Sequence, residues 1–135
     1  MRGVSAPVCT LLAALLVFAV VHAAPPPSAQ TEIKYLLSTV ADSECKFYRN
    51  GSWYDAKSAA AHLSAKLDYL SAKDLVQSAE DFIDKAATRS SLSERPYEIQ
   101  CGESAAVPSS QWLLILLARY RESQIHPISP PAPGG

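Results

Sequence analysis

Apolar residues recur at three- and four-residue spacing in four segments of the chain, which is the pattern of amphipathic helices. The predicted helices cover about residues 31–41, 56–70, 78–88 and 112–122, and the last has an apolar segment, 112–118, followed by a polar end. Asp55 and Ser78 are the predicted N-caps of the second and third helices, because their side chains can accept hydrogen bonds from the free amides of a first turn. The fourth segment is apolar on nearly all sides, which predicts burial of most of its surface.

Between the first two helices the pattern changes to that of a β-hairpin. Asn50-Gly51 suits a two-residue type I′ turn, because both central residues of that turn need positive φ. The predicted strands cover residues 46–49 and 52–54, and residues 97–101 alternate apolar and polar side chains as a third strand would. The expected fold is α+β and mostly helical, with about four helices packed on a small antiparallel hairpin or three-stranded sheet.

The two ends of the chain differ in composition from the middle. Residues 1–23 predict a secretory signal peptide, with Arg2 before an apolar run and small residues at the cleavage position. A membrane anchor is the alternative, but the apolar run of about 14 residues is shorter than the roughly 20 that span a bilayer. We expect a proline-rich spacer over residues 24–30, a single domain over 31–123 and a disordered Pro/Gly tail over 124–135.

Cysteine usage and charge restrict the compartment and the partners. After signal cleavage Cys45 and Cys101 remain, and two cysteines in an exported chain most simply form one disulfide. Closing that loop stabilises by roughly 4 kcal/mol in the chain-entropy model. The formal net charge of −1 argues against nucleic acid as a partner. The expected location is periplasmic or secreted, with no membrane span after cleavage.

A polar stripe on the second helix is one candidate binding surface. His62, Lys66 and Tyr69 fall on one side of that helix, with Asp55 near its start. The stripe would be a binding strip with His62 as a proton donor or ligand contact. The alternative is a boundary stripe, in which the stem of Lys66 and the ring of Tyr69 cover the edge of the core.

A serine-rich loop before Tyr97 is a second candidate, built from Arg89, Ser90, Ser91, Ser93 and Arg95. Hydroxyl and guanidinium groups together suit an anion, a carboxylate or a sugar. The alternative is an ordinary turn whose serines satisfy backbone amides. The spacing of Ser93 and Tyr97 also resembles the Ser-Gly-x-x-Tyr loop of periplasmic lysozyme inhibitors, which are β-barrels.

Aromatic residues and catalytic motifs say less about function than the two candidate surfaces do. Among the aromatics are Tyr48, Trp53, Tyr54, Trp112 and Tyr120. Some of them must lie in the core, and an outward-facing Trp53 or Tyr54 would contact a protein or a glycan. The sequence has no Gly-x-Ser-x-Gly motif, no clustered metal ligands and no glycine-rich phosphate loop. We therefore expect no cofactor and no metal.

Several motifs together resemble a known family. They are the segment Cys45–Tyr54, the pair His62-Leu63 with Lys66, the segment Ser78–Ile83, and the loop Ser90–Tyr97. These motifs resemble small exported bacterial proteins of the domain of unknown function 5329 family, over roughly residues 32–121. The resemblance implies export and a single disulfide-linked domain, and it implies no activity. A glycine follows the third loop serine in the family pattern, where this chain has Glu94.

The resulting hypothesis is a non-enzymatic binding or interaction module of the cell envelope, which contacts an envelope protein or a glycan. Its surface would include Arg49, Trp53, His62, Lys66 and the serine loop. A second hypothesis is an inhibitor or regulator of an envelope hydrolase, which requires a rigid protruding loop at residues 90–97. A third is a small hydrolase, which requires a serine or carboxylate at hydrogen-bond distance from His62.

Overall fold

The computed structural model describes residues 3–4 and 24–127. Within this part of the chain the helices are α1 (Pro27–Asp42), α2 (Ala56–Ser71), α3 (Ala79–Ala86) and α4 (Ser109–Ile125). The strands are β1 (Lys46–Arg49), β2 (Ser52–Tyr54), β3 (Glu98–Gln100) and β4 (Val107–Pro108). The α+β, mostly helical fold class is therefore confirmed. Most of the predicted signal peptide and the tail beyond residue 127 lie outside the described residues.

The hairpin has the predicted bounds, and its turn fixes its register. Asn50 has a φ of 50° and Gly51 a φ of 87°, as a type I′ turn requires. The pairs across the hairpin are Phe47 with Tyr54, Tyr48 with Trp53, and Arg49 with Ser52. Because side chains alternate between the two faces of a strand, Arg49 lies on the same face as Phe47 and Tyr54.

The strands form one antiparallel sheet in the order β2-β1-β3-β4. The predicted disulfide between Cys45 and Cys101 is confirmed, with Cα atoms 4.4 Å apart. It lies beside the paired residues Lys46 and Gln100 and joins β1 to β3. The sequence did not predict β4, because a two-residue strand that contains a proline has no alternating pattern.

The helices and the inner face of the sheet enclose one hydrophobic core. Phe82 of α3 is fully buried, and around it are Ile33 and Leu36 of α1, Ile99 of β3 and Leu113 of α4. Full burial of a side chain of this size contributes roughly 1.5–3 kcal/mol. No helix in the described part of the chain is long and apolar enough to cross a membrane.

Helices α2 and α3 begin at the predicted caps, whereas α1 and α4 extend into segments predicted as spacer and tail. The Ser58 N–H donates to Asp55 at 2.7 Å, and the Asp81 N–H donates to Ser78 at 3.0 Å. Helix α1 begins at Pro27, so residues 27–30 of the predicted spacer are helical, and no side chain caps it. Proline is favoured there because its missing N–H lies where a helix leaves N–H groups unsatisfied. Helix α4 continues through residues 124–125 of the predicted tail.

The prediction that the apolar segment of α4 is buried on most sides is wrong. Leu113 and Leu117 are buried, whereas Leu114 and Ile115 are each 46% exposed. The reason is that α4 lies on the outside of the domain and presents one face to α1, α3 and the sheet. A helix in that position buries a single stripe, whatever the composition of its other face.

The C-terminal half of α4 is held by Arg121, which contacts two other helices. Its guanidinium group donates to both carboxylate oxygens of Glu32 on α1, at 2.7 and 2.9 Å. It also donates to Glu80 on α3. These hydrogen bonds to Glu32 and Glu80 raise the pKa of Arg121, and Arg121 in turn lowers the pKa of Glu80. In the Arg121 cluster, defined by these three residues, two carboxylates therefore compensate the charge of Arg121.

Candidate functional site

The centre of the candidate site is the hydroxyl of Tyr97, which two side chains of α2 approach. His62 Nε2 lies 3.3 Å from the phenol oxygen. Lys66 Nζ donates to the same oxygen at 3.4 Å and to the backbone carbonyl of Arg89 at 3.2 Å. His62 and Lys66 share a face of α2 because they are four residues apart. The predicted stripe and the base of the serine loop therefore meet at Tyr97, which is 7% exposed.

A third basic side chain comes from the hairpin. The guanidinium group of Arg49 lies over the ring of Tyr54, with Cζ 4.5 Å from the ring centroid. Strand alternation directs Arg49 to the inner face of the sheet, toward α2. We call Arg49, His62, Lys66 and Tyr97 the Tyr97 cluster.

Burial and neighbouring positive charges shift the pKa values of three groups in the Tyr97 cluster. Burial lowers the pKa of His62, and the positive charges of Arg49 and Lys66 lower it further. Burial and the charge of Arg49 also lower the pKa of Lys66. Burial raises the pKa of Tyr97, and Arg49 opposes this rise. The phenol therefore stays neutral while cations surround it.

No carboxylate among the described residues lies within ion-pair distance of Arg49, His62 or Lys66. The ion pairs found in this part of the chain involve Lys85 and Arg121, at other places on the surface. Positive charges brought together without a counterion disfavour one another, more strongly where water is partly excluded. The cluster therefore has the electrostatic character of an anion site.

The protonation state of His62 determines where the Tyr97 hydroxyl can donate. When His62 is neutral, Lys66 donates to the phenol oxygen and the phenol O–H can donate to Nε2 of His62. When His62 is protonated, both side chains can donate to that oxygen, which leaves the phenol proton for another acceptor. Protonation of His62 thus adds a positive charge and releases a donor, and both changes favour an incoming anion.

A small cavity lies next to the cluster, with Arg49, His62 and Tyr97 among its lining residues. The space inside is about 30 Å³, which is room for one or two groups the size of water. The apolar part of its wall is formed by Phe47, Ala59, Leu63, Ala87 and Leu113. Ser109 also lines it, and the buried hydroxyl of Ser109 has no hydrogen-bond partner among the described residues.

Two residues predicted for the site lie apart from the Tyr97 cluster. Trp53 pairs with Tyr48, so its side chain lies on the opposite face of the hairpin from Arg49. It is 44% exposed and its ring centroid lies 5.3 Å from that of Tyr48. Tyr69 is 61% exposed and its hydroxyl accepts a hydrogen bond from Lys73 at 2.7 Å.

The serine loop is a compact turn whose hydroxyls hold the turn together. Ser90 is buried, and its Oγ accepts hydrogen bonds from the N–H groups of Leu92 and Ser93. The hydroxyl of Ser93 donates to the side chain of Asn50, which ties the loop to the hairpin. Glu94 has a φ of 56°, a left-handed conformation that glycine would adopt more easily. Ser90 and Ser93 thus act as the ordinary-turn alternative requires.

The outer side of this turn is exposed. Leu92 is 94% exposed at the tip, and Arg89, Ser91 and Arg95 are exposed around it. The residue types of the loop pointed to its hydroxyl and guanidinium groups and not to Leu92. A leucine between hydroxyl residues gives no pattern signal, because its exposure depends on the shape of the turn.

Comparison with known proteins places the chain in a family. A family model described as "Family of unknown function (DUF5329)" matches residues 27–121. The chain belongs to this family. It is also similar to the Uncharacterized protein YfeK of Salmonella typhimurium (strain LT2), with 32% identity over 98 residues that cover 72% of this chain and 77% of the relative. No solved structure matches.

The matched region of this DUF5329 protein includes the whole Tyr97 cluster and the serine loop. Neither the family nor the relative has an assigned function. The resemblance stated from the motifs is therefore confirmed, and it leaves the role of the site to be argued from geometry.

The hydrogen bond that the hydrolase hypothesis requires of His62 is not found among the described residues. The side-chain hydrogen bond of His62 is to Tyr97, and no serine or carboxylate in the described part of the chain lies at hydrogen-bond distance from its ring. A general base must be able to reach the proton it removes. The described residues also contain no group of three or more side chains that could hold a metal ion.

The amino-acid pattern did not predict that Ser109 contributes to the site. The residue follows Pro108 at the start of α4, and its backbone N–H donates to the carbonyl of Tyr97 at 2.9 Å. That contact lies next to the pairing of β3 with β4 and joins Tyr97 to the start of α4. The Pro-Ser start of a helix was visible, but no pattern indicated which residues it would meet.

Proposed function

We propose that this DUF5329 protein is a non-enzymatic binding module of the cell envelope, and that its Tyr97 cluster binds an anionic group of an envelope protein or glycan. One observation carries this proposal: Arg49, His62 and Lys66 surround a buried phenol, and no described carboxylate compensates them. An anion at this place would remove the repulsion between the cations and would accept their hydrogen bonds.

The chemistry of the four groups supports binding more than catalysis. Guanidinium, ammonium and protonated imidazole are donors only, and the phenol can donate as well. A site built from donors holds an acceptor such as a carboxylate or phosphate. It has no nucleophile that a base activates, because the hydrogen bond of His62 is to a phenol of raised pKa.

An exported location is part of this proposal. The leader-like pattern of residues 1–23 supports it, as does the disulfide between Cys45 and Cys101, because disulfides persist in oxidising compartments. The bond joins the strand that carries Arg49 to the strand that follows Tyr97. Oxidation would therefore preserve the geometry of the cluster.

An NMR titration tests the proposed function. Acetate and inorganic phosphate are added in turn to the ¹⁵N-labelled protein, and acetamide serves as the neutral control. We expect saturable shifts at Arg49, His62 and Tyr97 with at least one anion, no saturation with acetamide, and no response near Arg121. The proposal fails if neither anion saturates, or if the shifts centre on Arg121.

The exposed tip of the serine loop supports a second candidate function, the inhibition of an envelope hydrolase. Leu92 is 94% exposed on a turn that is held by the bonds of Ser90 and by the link from Ser93 to Asn50. A rigid turn loses little entropy on binding, and an exposed leucine can fill an apolar pocket. Arg89 and Arg95 beside it would suit an acidic rim.

Hydrolase assays of envelope extracts test this second function. Wild-type protein should reduce a cell-wall-degrading activity, and Leu92→Ser should abolish that reduction because the apolar tip is lost. Leu75→Ser is the matched control, since Leu75 is 42% exposed at a different place. Equal inhibition by wild type and Leu92→Ser, or no inhibition by either, would exclude the loop as an inhibitor.

A further inference from the structure

The cavity beside the Tyr97 cluster is the feature that says most about the ligand. Ala59, Leu63 and Leu113 give it an apolar wall, and Arg49 and His62 also line it. The space of about 30 Å³ admits one or two groups of the size of water or methyl. Anything that enters is therefore small, and the rest of the ligand must remain outside, next to the cations.

Ser109 adds a polar requirement to this cavity. The residue is 4% exposed, and its hydroxyl is without a partner among the described residues. A buried hydroxyl that makes no hydrogen bond is unfavourable, so native proteins usually provide a partner from the chain, from water or from a ligand. The cavity thus offers one donor within an apolar wall.

The start of helix α4 contributes positive potential at the same place. Ser109 is the first residue of this 17-residue helix, and no side chain caps the helix. The first N–H groups of a helix lack intrahelical partners and carry a partial positive charge. Arg49 of β1, His62 of α2 and the N-terminus of α4 therefore approach the cavity from three elements, and all three favour negative charge.

We infer that this cavity and the Tyr97 cluster together recognise the C-terminal alanine of a peptide: a carboxylate that carries a methyl group on the adjacent carbon. The methyl contacts the wall formed by Ala59, Leu63 and Leu113. One carboxylate oxygen accepts from Ser109, and the cations hold the remaining charge. The inference rests on the proposed function, because it names the ligand of the same anion site.

Size and charge together select this class of ligand. A glycine carboxylate would leave the apolar wall without a contact, and a leucine side chain is larger than the space of about 30 Å³. A C-terminal amide lacks the charge that the cations favour. Two sources of such a ligand differ in the configuration of the alanine. The C-terminus of a protein carries L-alanine, whereas the stem peptides of cell walls end in D-alanine.

Calorimetric titration with N-acetyl amino acids tests the inference. We expect both or one of the N-acetylalanine enantiomers to bind about fourfold more tightly than N-acetylglycine, which is the effect of one buried CH₂ group. N-acetylleucine should bind more weakly than the alanine ligand, and N-acetylalaninamide should not bind measurably. Equal affinities for glycine and alanine would overturn the inference.

Variants show which side chains are responsible for binding N-acetylalanine and for its preference over N-acetylglycine. Ser109→Ala should weaken N-acetylalanine binding about tenfold, as loss of a hydrogen bond to a charged group does. Its thermal midpoint should stay the same or rise, because an unpartnered buried hydroxyl is removed. Ser110→Ala, at the next position of α4, is the matched control and should bind as wild type does. Ala59→Leu should fill the cavity and remove the preference for alanine over glycine.

The outcomes separate this inference from the proposed function. Binding of acetate without any preference for alanine would overturn the inference alone. The absence of binding by acetate, phosphate and every N-acetyl amino acid would overturn both. Unchanged alanine affinity in Ser109→Ala would also overturn the inference, and that test does not depend on whether Ala59→Leu folds.

Discussion

Two clusters of charged residues in this protein differ in whether carboxylates surround their basic side chains. Arg121 has Glu32 and Glu80 around it, and it joins α1, α3 and α4 through hydrogen bonds to both carboxylates. The Tyr97 cluster has Arg49, His62 and Lys66 around a phenol, with no described carboxylate near them.

The difference teaches which of the two clusters is structural. The hydrogen bonds of Arg121 raise its pKa, so its charge is favoured by the fold. The environment of His62 and Lys66 lowers the pKa of both groups, so their charges are disfavoured by the fold. Disfavoured charges that lie together in a partly buried place are typical of a site that binds an opposite charge.

Removal of the disulfide should have the largest effect on stability, and it should loosen the strands that position the Tyr97 cluster. Cys45→Ala with Cys101→Ala should lower the free energy of unfolding by roughly 4 kcal/mol, because the unfolded chain is no longer constrained. Urea denaturation measures the loss. Hydrogen exchange should increase more in β1 and β3 than in α1, because the bond joins the two strands that position the Tyr97 cluster.

Wild-type protein in a reducing agent should behave like the double variant. A loss below about 1 kcal/mol, or equal increases in exchange in α1 and β1, would contradict the dependence of the Tyr97 cluster on the disulfide.

Neutralising one cation of the Tyr97 cluster should have the next largest effect. Lys66→Met keeps much of the apolar stem and removes the charge, so acetate affinity should fall at least tenfold, the effect of one charged hydrogen bond. Lys73→Met is the matched control, because Lys73 also lies close to a tyrosine hydroxyl, that of Tyr69. NMR titration measures both affinities. Equal losses in the two variants would indicate a general charge effect instead of a site.

Lower pH should strengthen anion binding through His62. The groups that face His62 are Tyr97, Arg49 and Lys66, and the affinity is measured between pH 5.5 and 7.5, a range chosen around the ordinary pKa of histidine. A bound anion favours protonated His62, so affinity should rise by up to about tenfold per pH unit as the pH falls. His62→Gln should have a flat profile over this range. A wild-type profile that is equally flat would exclude His62 from the site.

The same pKa shift has the opposite effect on the stability of the unliganded protein. The pKa of His62 in the folded state lies below its ordinary value of 6.5, so the unfolded chain binds more protons in the interval between the two values. Stability should therefore fall as the pH drops below about 6.5 and should level off below the folded-state pKa. Denaturation midpoints of wild type and His62→Gln measure this difference.

Neutralising Arg121 should have the smallest effect, and it should change the stability of the protein instead of its affinity for anions. Arg121→Met should lower the free energy of unfolding by about 1 kcal/mol, since its ion pairs are partly exposed. Acetate affinity should be unchanged. Arg119→Met, on the exposed side of the same helix, is the control and should alter neither property. A loss of anion binding in Arg121→Met would remove the distinction between the two clusters.

Local chemistry made much of the fold predictable. The Asn50-Gly51 turn gave the hairpin its bounds and register, and Asp55 and Ser78 marked the starts of two helices. The pairing of Cys45 with Cys101 followed from counting the cysteines of an exported chain. By contrast, β4 and the exposed side of α4 depend on packing between distant elements, which composition and spacing do not reveal.

The candidate site was predictable only in part. His62 and Lys66 were singled out by their helical spacing, but Tyr97 lies 35 and 31 residues away from them, so their contact is a product of the tertiary fold. The separation of Trp53 from Arg49 was available in the sequence, because a two-residue turn fixes which residues share a face. Ser109 had no such signal.

The pKa of His62, measured by following its ring protons in an NMR titration, tests most directly whether the Tyr97 cluster is an uncompensated group of cations. We predict a value below 6.5 in wild-type protein, which rises in Arg49→Met and in Lys66→Met because each variant removes a repelling charge. A wild-type value at or above 6.5, unchanged in both variants, would mean that the positive charge is already compensated and would contradict the anion site.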